Sequence, residues 1–81
     1  MFTVYIIYSH LIDKYYVGYT SDLQKRLQDH NSGISTFTSK AGDWVLKYQK
    51  QFNTRALAMK YEKEIKRKKS CKYIEWLIGA H

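Results

Sequence analysis

From Phe2 to Ser9 (FTVYIIYS) almost every position is β-branched or aromatic, the pattern of a strand apolar on both faces. His10 to Lys14 is a polar connection. Tyr15 to Thr20 then repeats the strand pattern, after a link short enough for antiparallel pairing with the first strand. Alternation puts Tyr16, Gly18 and Thr20 on one side of this second strand and Tyr15, Val17 and Tyr19 on the other. Gly18 is read as a tight turn on the way into the helix that follows. Ser21-Asp22-Leu23-Gln24 has the form of a capping box with Ser21 as the cap. The spacing predicts a helix to about Ser32, with Gly33 as its left-handed stop. Leu23 and Leu27 form the core side of that helix, and Arg26 and His30 share a neighbouring stripe at i,i+4.

Beyond Gly33 the pattern weakens. Ile34 to Asp43 (ISTFTSKAGD) is Ser/Thr/Gly-rich and is expected to be a mobile loop. Trp44 to Phe52 is a third strand. Asn53 or Thr54 caps a long helix to about Lys68, with Leu57, Ala58, Tyr61 and Ile65 as its apolar members. Ser70 caps a last helix, in which Tyr73, Ile74, Leu77 and Ile78 form one stripe with Trp76 beside it. No repeat, linker or proline interrupts the 81 residues. The order ββαβαα predicts a single α+β domain over 1–81, a small three-stranded antiparallel sheet flanked by helices.

Charge sharpens this picture. Residues 40–72 hold eleven bases against three acids, a net +8, whereas the rest of the chain carries −1. Such asymmetry points to a polyanionic partner, and among polyanions to nucleic acid. A single cysteine, Cys71, excludes an intramolecular disulfide, and the widely spaced His10, His30 and His81 form no zinc-ligand cluster. A reducing, cytoplasmic setting follows as the expectation. MFTVYIIYSH lacks the basic leader and cleavage site of a signal peptide. No apolar run approaches the ~20 residues that span a bilayer, so no membrane partner is expected.

Several side chains can carry chemistry. On the long helix Glu62 falls on the stripe of Ala58 and Ile65, toward the sheet, while Glu64 falls with Lys60 and Lys68, where ordinary i,i+4 ion pairs form. An inward carboxylate needs a partner: either a salt bridge to Arg26 or Lys66, or a bound cation. Arg26 offers a planar fork for phosphate, or else pairs with Asp22 four residues earlier. His30 can relay protons near neutral pH, although a lone helical histidine is ordinarily a surface or capping residue. Tyr5 and Tyr16 are individually ordinary core aromatics. Lys60, Lys63 and Arg67 share a helix face away from Glu62, suited to phosphate-backbone contacts.

The joint spacing resembles the GIY-YIG endonuclease family. Thr3-Val4-Tyr5 matches the first signature block, and Tyr16-Val17-Gly18 the second, with Tyr16 eleven residues after Tyr5. Arg26 matches the helix arginine, His30 the histidine four further on, and Glu62 the late helical glutamate. His30-Asn31-Ser32-Gly33 looks like the small standalone members. Thr3 departs from the first glycine, and Tyr19 stands where some relatives carry lysine. The resemblance implies hydrolysis of DNA phosphodiesters with one Mg²⁺ or Mn²⁺, little sequence specificity or a preference for DNA structure, and Tyr5, Tyr16, Arg26, His30 and Glu62 gathered at one end of one sheet face. Glu62 would hold the ion, Arg26 would bind the phosphate, and either tyrosine would serve as general base with His30 relaying the proton. Two other classes remain open at this point: a non-catalytic nucleic-acid-binding module on the same scaffold, and a protein-interaction domain. The oligomeric state is not legible in the residues.

Overall fold

The computed structural model describes residues 1–33, 41–68 and 71–79. Its elements run in the order β1 (Phe2–Ser9), β2 (Lys14–Thr20), α1 (Leu23–Asn31), β3 (Val45–Phe52), α2 (Arg55–Lys68) and α3 (Cys71–Gly79). The three strands form one antiparallel sheet in the order β2-β1-β3. This is the α+β architecture that the pattern predicts.

The apolar run of β1 is continuous because the strand is central and covered on both faces. On one face Val4 and Ile6 pack with Val17 and Tyr48, against Ala58 and Ile65 of α2 and Leu77 of α3. On the other, Tyr5 and Ile7 pack with Ala41 and Trp44, with Leu23 and Leu27 of α1 against them. Burying each such aliphatic side chain contributes about 1.5–3 kcal/mol. In a domain this small, those few residues supply most of the stability.

The connections differ from the expectations in instructive ways. The cap of α1 is Asp22, not Ser21. The Asp22 carboxylate accepts from the Lys25 amide at 3.2 Å, and the Thr20 hydroxyl accepts from the Asp22 amide at 3.1 Å. Ser21 is consumed by the bend, and with Lys25 three residues after Asp22 the cap is a single side-chain bond and not a capping box. Gly18 makes no turn; it lies within β2, paired with Tyr5. The helix does stop as expected, with Gly33 at φ 82°. Thr54 caps α2, its hydroxyl accepting from the Leu57 amide at 3.3 Å. Leu57 itself is half exposed, one position outside the buried stripe of Ala58 and Ile65. Most of the expected mobile loop, residues 34–40, and the Ser70 cap lie outside the described residues.

Two polar anchors hold the loops. Asp43 accepts from the Ser9 hydroxyl at 2.5 Å and from the amides of His10 and Leu11 at 3.0 and 3.1 Å, closing the β1–β2 turn. The Ser9 hydrogen bond, helped by those amides, holds the Asp43 carboxyl below its ordinary range. Asn31, at the end of α1, donates to the Trp44 carbonyl at 3.1 Å and accepts the Trp44 amide at 2.7 Å, which fixes α1 to the entry of β3. Among the described residues, no helix is long and apolar enough to cross a membrane.

Candidate active site

The site begins with an approach that only glycine permits. Tyr5 on β1 is paired with Gly18 on β2, and a Cβ at position 18 would lie 2.7 Å from the Tyr5 hydroxyl and 2.9 Å from its Cζ. The tyrosine ring therefore lies across the glycine. Its hydroxyl meets Nε2 of His30 on α1 at 2.8 Å. His30 is fully buried, which the expectation of a surface or capping histidine missed. Two tyrosines enclose its imidazole: Tyr5 with ring centroids 5.8 Å apart, and Tyr16 edge-on at 5.0 Å. Gly18→Ala should push the Tyr5 ring off this bond and cost about 1–3 kcal/mol by overpacking. Urea unfolding measures that loss, and an unchanged midpoint would refute the constraint.

Burial sets the electrostatics. It pushes the Tyr5 phenol up to about 12, with Tyr16 adding to the effect and the neighbouring Arg26 guanidinium opposing it. Burial also lowers the His30 imidazole from its ordinary 6.5, and Arg26 lowers it further. Both groups are neutral near pH 7. Unfolding returns His30 to its ordinary value, so in acid the unfolded chain binds the extra proton. The stability carried by neutral His30 is therefore complete above about pH 6.5 and is lost as pH falls from there through the lowered folded value. Urea melts across that range should show the loss, and folded His30→Gln should flatten it.

Arg26 projects from α1 with its side chain 37% exposed, and its guanidinium is 3.9 Å from the Asp29 carboxylate. Asp22 does not pair with it, being committed to the helix cap. An exposed pair of this kind is worth about 0–1 kcal/mol, so the guanidinium can change partners at little cost. Glu62 is 14% exposed on α2, with Lys66 Nζ 3.3 Å from its carboxylate. Of the two salt bridges open to Glu62 in the sequence, the one to Lys66 forms. The same Lys66 ammonium lies 5.8 Å from the centre of the Tyr16 ring. Among the described residues neither expected ion pair of Glu64 forms, and Glu64 is exposed, as are Lys60, Lys63 and Arg67.

Tyr5, Tyr16, Arg26 and Glu62 open onto one pocket of about 430 Å³. His30 lies behind Tyr5, outside the lining. The gathering is at an edge and not on a single face as expected. Tyr5 and Tyr16 lie on the α1 side, whereas α2 packs on the opposite face. Glu62 reaches the pocket at β2, an edge strand, where the two layers meet, and its partner Lys66 lies against Tyr16. The sequence reading also missed Arg55, which lines the pocket with its guanidinium 5.4 Å from the Phe2 ring centre. Its place at the first turn of α2, next to a strand end, was the available signal. Among the described residues no three His, Cys, Asp or Glu side chains cluster as metal ligands. Glu62 is the one acidic side chain lining the pocket, and a cation held there would need water and substrate oxygens to complete its shell.

Comparison with known proteins identifies the family. The sequence matches the GIY-YIG catalytic domain over residues 1–74. It is 44% identical over 64 residues to a UPF0213 protein of Bacillus velezensis, covering 74% of this chain and 65% of the relative. It is 38% identical over 64 residues to a UPF0213 protein of Staphylococcus haemolyticus, covering 74% and 78%. It is 39% identical over 67 residues to the UPF0213 protein YazA of Bacillus subtilis, covering 78% and 68%. The chain thus spans less than two thirds of the Bacillus velezensis protein. No solved structure gives a significant match. A match that runs from the first strand into the third helix assigns the fold and its catalytic scaffold together: the chain belongs to the GIY-YIG family.

Proposed function

We propose that this chain is a divalent-metal-dependent DNA endonuclease that hydrolyses phosphodiester bonds with little sequence specificity or with specificity for DNA structure, working as one domain over residues 1–81. The GIY-YIG domain is a nuclease-type catalytic domain. One observation carries the reading: Tyr5, Tyr16, Arg26 and Glu62, from four different elements, open onto one pocket. A core needs no such set, and a binding surface needs no recessed carboxylate.

In this reading Arg26 leaves Asp29 and clamps the scissile phosphate, offsetting its developing charge. Glu62 would hold a single Mg²⁺ or Mn²⁺ after releasing Lys66, and such an ion would supply polarisation of the phosphate and stabilisation of the leaving oxygen. Tyr16, only partly buried, orients the attacking water. Tyr5 takes a proton from that water as it passes its own to His30 Nε2 along the 2.8 Å bond. Such a relay suits a phenol whose own ionisation is held at about 12, because no free phenolate has to form. It requires the His30 tautomer protonated at Nδ1.

The outer face of α2, with Lys60, Lys63 and Arg67, contacts the phosphate backbone. Reversing these three residues to Glu should weaken binding to all duplex sequences alike. It should also flatten the salt dependence by roughly 0.9 in log K per log salt for each phosphate no longer neutralised. Unchanged affinity would show the face misassigned. A second reading, a nucleic-acid-binding module without chemistry, is favoured by the Glu62–Lys66 pair, which already neutralises the carboxylate. Plasmid nicking separates the two: the nuclease nicks with Mg²⁺ or Mn²⁺ and stops on chelation, whereas the module binds and leaves the plasmid intact under both conditions.

A further inference from the structure

Three residues of α3, Ile74, Leu77 and Ile78, and partly buried Tyr73 pack against the sheet-side core. Trp76 does not join them and is 64% exposed. Its ring stacks on Tyr73, with centroids 6.0 Å apart and planes 26° from parallel. The Lys68 ammonium lies 5.5 Å from the centre of the Tyr73 ring, and Lys72 is exposed on the first turn of α3. One side of this indole is thus supported by a ring tied into the core, while most of its surface faces water.

We propose that Trp76, backed by Tyr73, is a stacking platform for an unpaired nucleobase, and that Lys68 and Lys72 hold the adjoining phosphates. The inference rests on the nuclease reading and names the part of the substrate beyond the cut. Chemistry selects the occupant. A solvent-facing indole stacked on Tyr73, with lysines on the same two helices, matches a nucleotide, whose base offers a π-face and whose phosphate offers the opposite charge. Bases within a duplex are stacked on each other and present no free face, so the platform takes single-stranded DNA.

The position relative to the pocket fits a continuous strand. Lys66 contacts Tyr16 on the pocket side of α2, and Lys68 contacts Tyr73 on the α3 side, two residues on along the same helix. Arg67 lies exposed between them. A strand leaving the pocket crosses one helix, about 10–12 Å wide. That is roughly three nucleotides at the ~3.4 Å spacing of a stacked strand. The enzyme would therefore prefer DNA with an unpaired tail or flap close to the cut.

Intrinsic fluorescence tests this, because Trp44 is buried and Trp76 is the exposed indole of the two. Oligo(dT) added to the intact chain without metal should quench the exposed component. Trp76→Ala should abolish that quenching and weaken oligo(dT) binding roughly 5- to 150-fold, the range for losing one base–aromatic stack. It should leave blunt-duplex affinity unchanged, and Trp76→Phe should retain most of the affinity. If oligo(dT) fails to quench while duplex DNA is bound and cut, the platform is wrong and the nuclease reading stands. If no DNA is bound at all, both fail. Quenching that rises with protein concentration in the absence of DNA would assign the face to a second copy of the chain and overturn the proposal.

Discussion

Glu62→Gln should lower the rate of DNA cleavage by about 10²-fold or more, the scale observed when one preorganised electrostatic group is lost from a site. The substitution keeps the shape and most of the packing of a side chain that is only 14% exposed. It removes the charge that would hold the cation. DNA affinity in the absence of metal should hold or rise, since a negative charge leaves the neighbourhood of the phosphates. Glu64→Gln is the matched control, two residues along the same helix on its exposed face, and should cleave at nearly the wild-type rate. Folding of Glu62→Gln must be confirmed, because the variant also frees Lys66. A folded Glu62→Gln enzyme that cleaves as fast as wild type at saturating Mg²⁺ would remove Glu62 from the mechanism.

Tyr5 and His30 should behave as one device. Tyr5→Phe keeps the ring that lies across Gly18 and deletes the hydroxyl, breaking the relay at its first atom. His30→Gln breaks it at the last. Each should reduce cleavage by about 10²–10⁴-fold, the usual contribution of a positioned acid–base group. The double variant should be little slower than either single one, since groups acting as a unit are strongly non-additive. Rate reductions that multiply would show that the two residues act separately, with the 2.8 Å bond serving only the core. Because His30 is fully buried, the variants are compared at temperatures where each remains folded by circular dichroism.

The strands and helices were legible because their signals are local. The run in β1 contained the two-sided burial, and Gly33 marked the end of α1 through the one conformation it adopts easily. Ser21 and Asp22 are both good capping residues at compatible spacing. The choice between them was made by the Thr20 hydroxyl, which bonds the Asp22 amide and turns the chain one residue later. Gly18 was misread because a glycine at a strand end resembles a turn. Its actual reason, the Tyr5 ring crossing over it, comes from a residue thirteen positions away on another strand. The site residues were recognisable by spacing, but their relations were not. The burial of His30 depends on two tyrosines from different strands. The choice of Lys66 over Arg26 as the partner of Glu62 depends on α2 and α1 lying on opposite faces of the sheet. The half exposure of Leu57 reflects how narrow the packed stripe is on a helix laid across so small a sheet, a width that residue spacing alone does not state.

The most direct test of a hydrolytic pocket built from Tyr5, Tyr16, Arg26 and Glu62 is single-turnover cleavage. The substrates are end-labelled single-stranded, duplex, flap and junction DNA, with Mg²⁺, with Mn²⁺ and with chelator. At least one of these substrates should be cleaved with a divalent ion, fastest where an unpaired strand adjoins a duplex, and none with chelator. Binding to the DNA without cleavage of any substrate by either ion would contradict it and leave a nucleic-acid-binding module in its place.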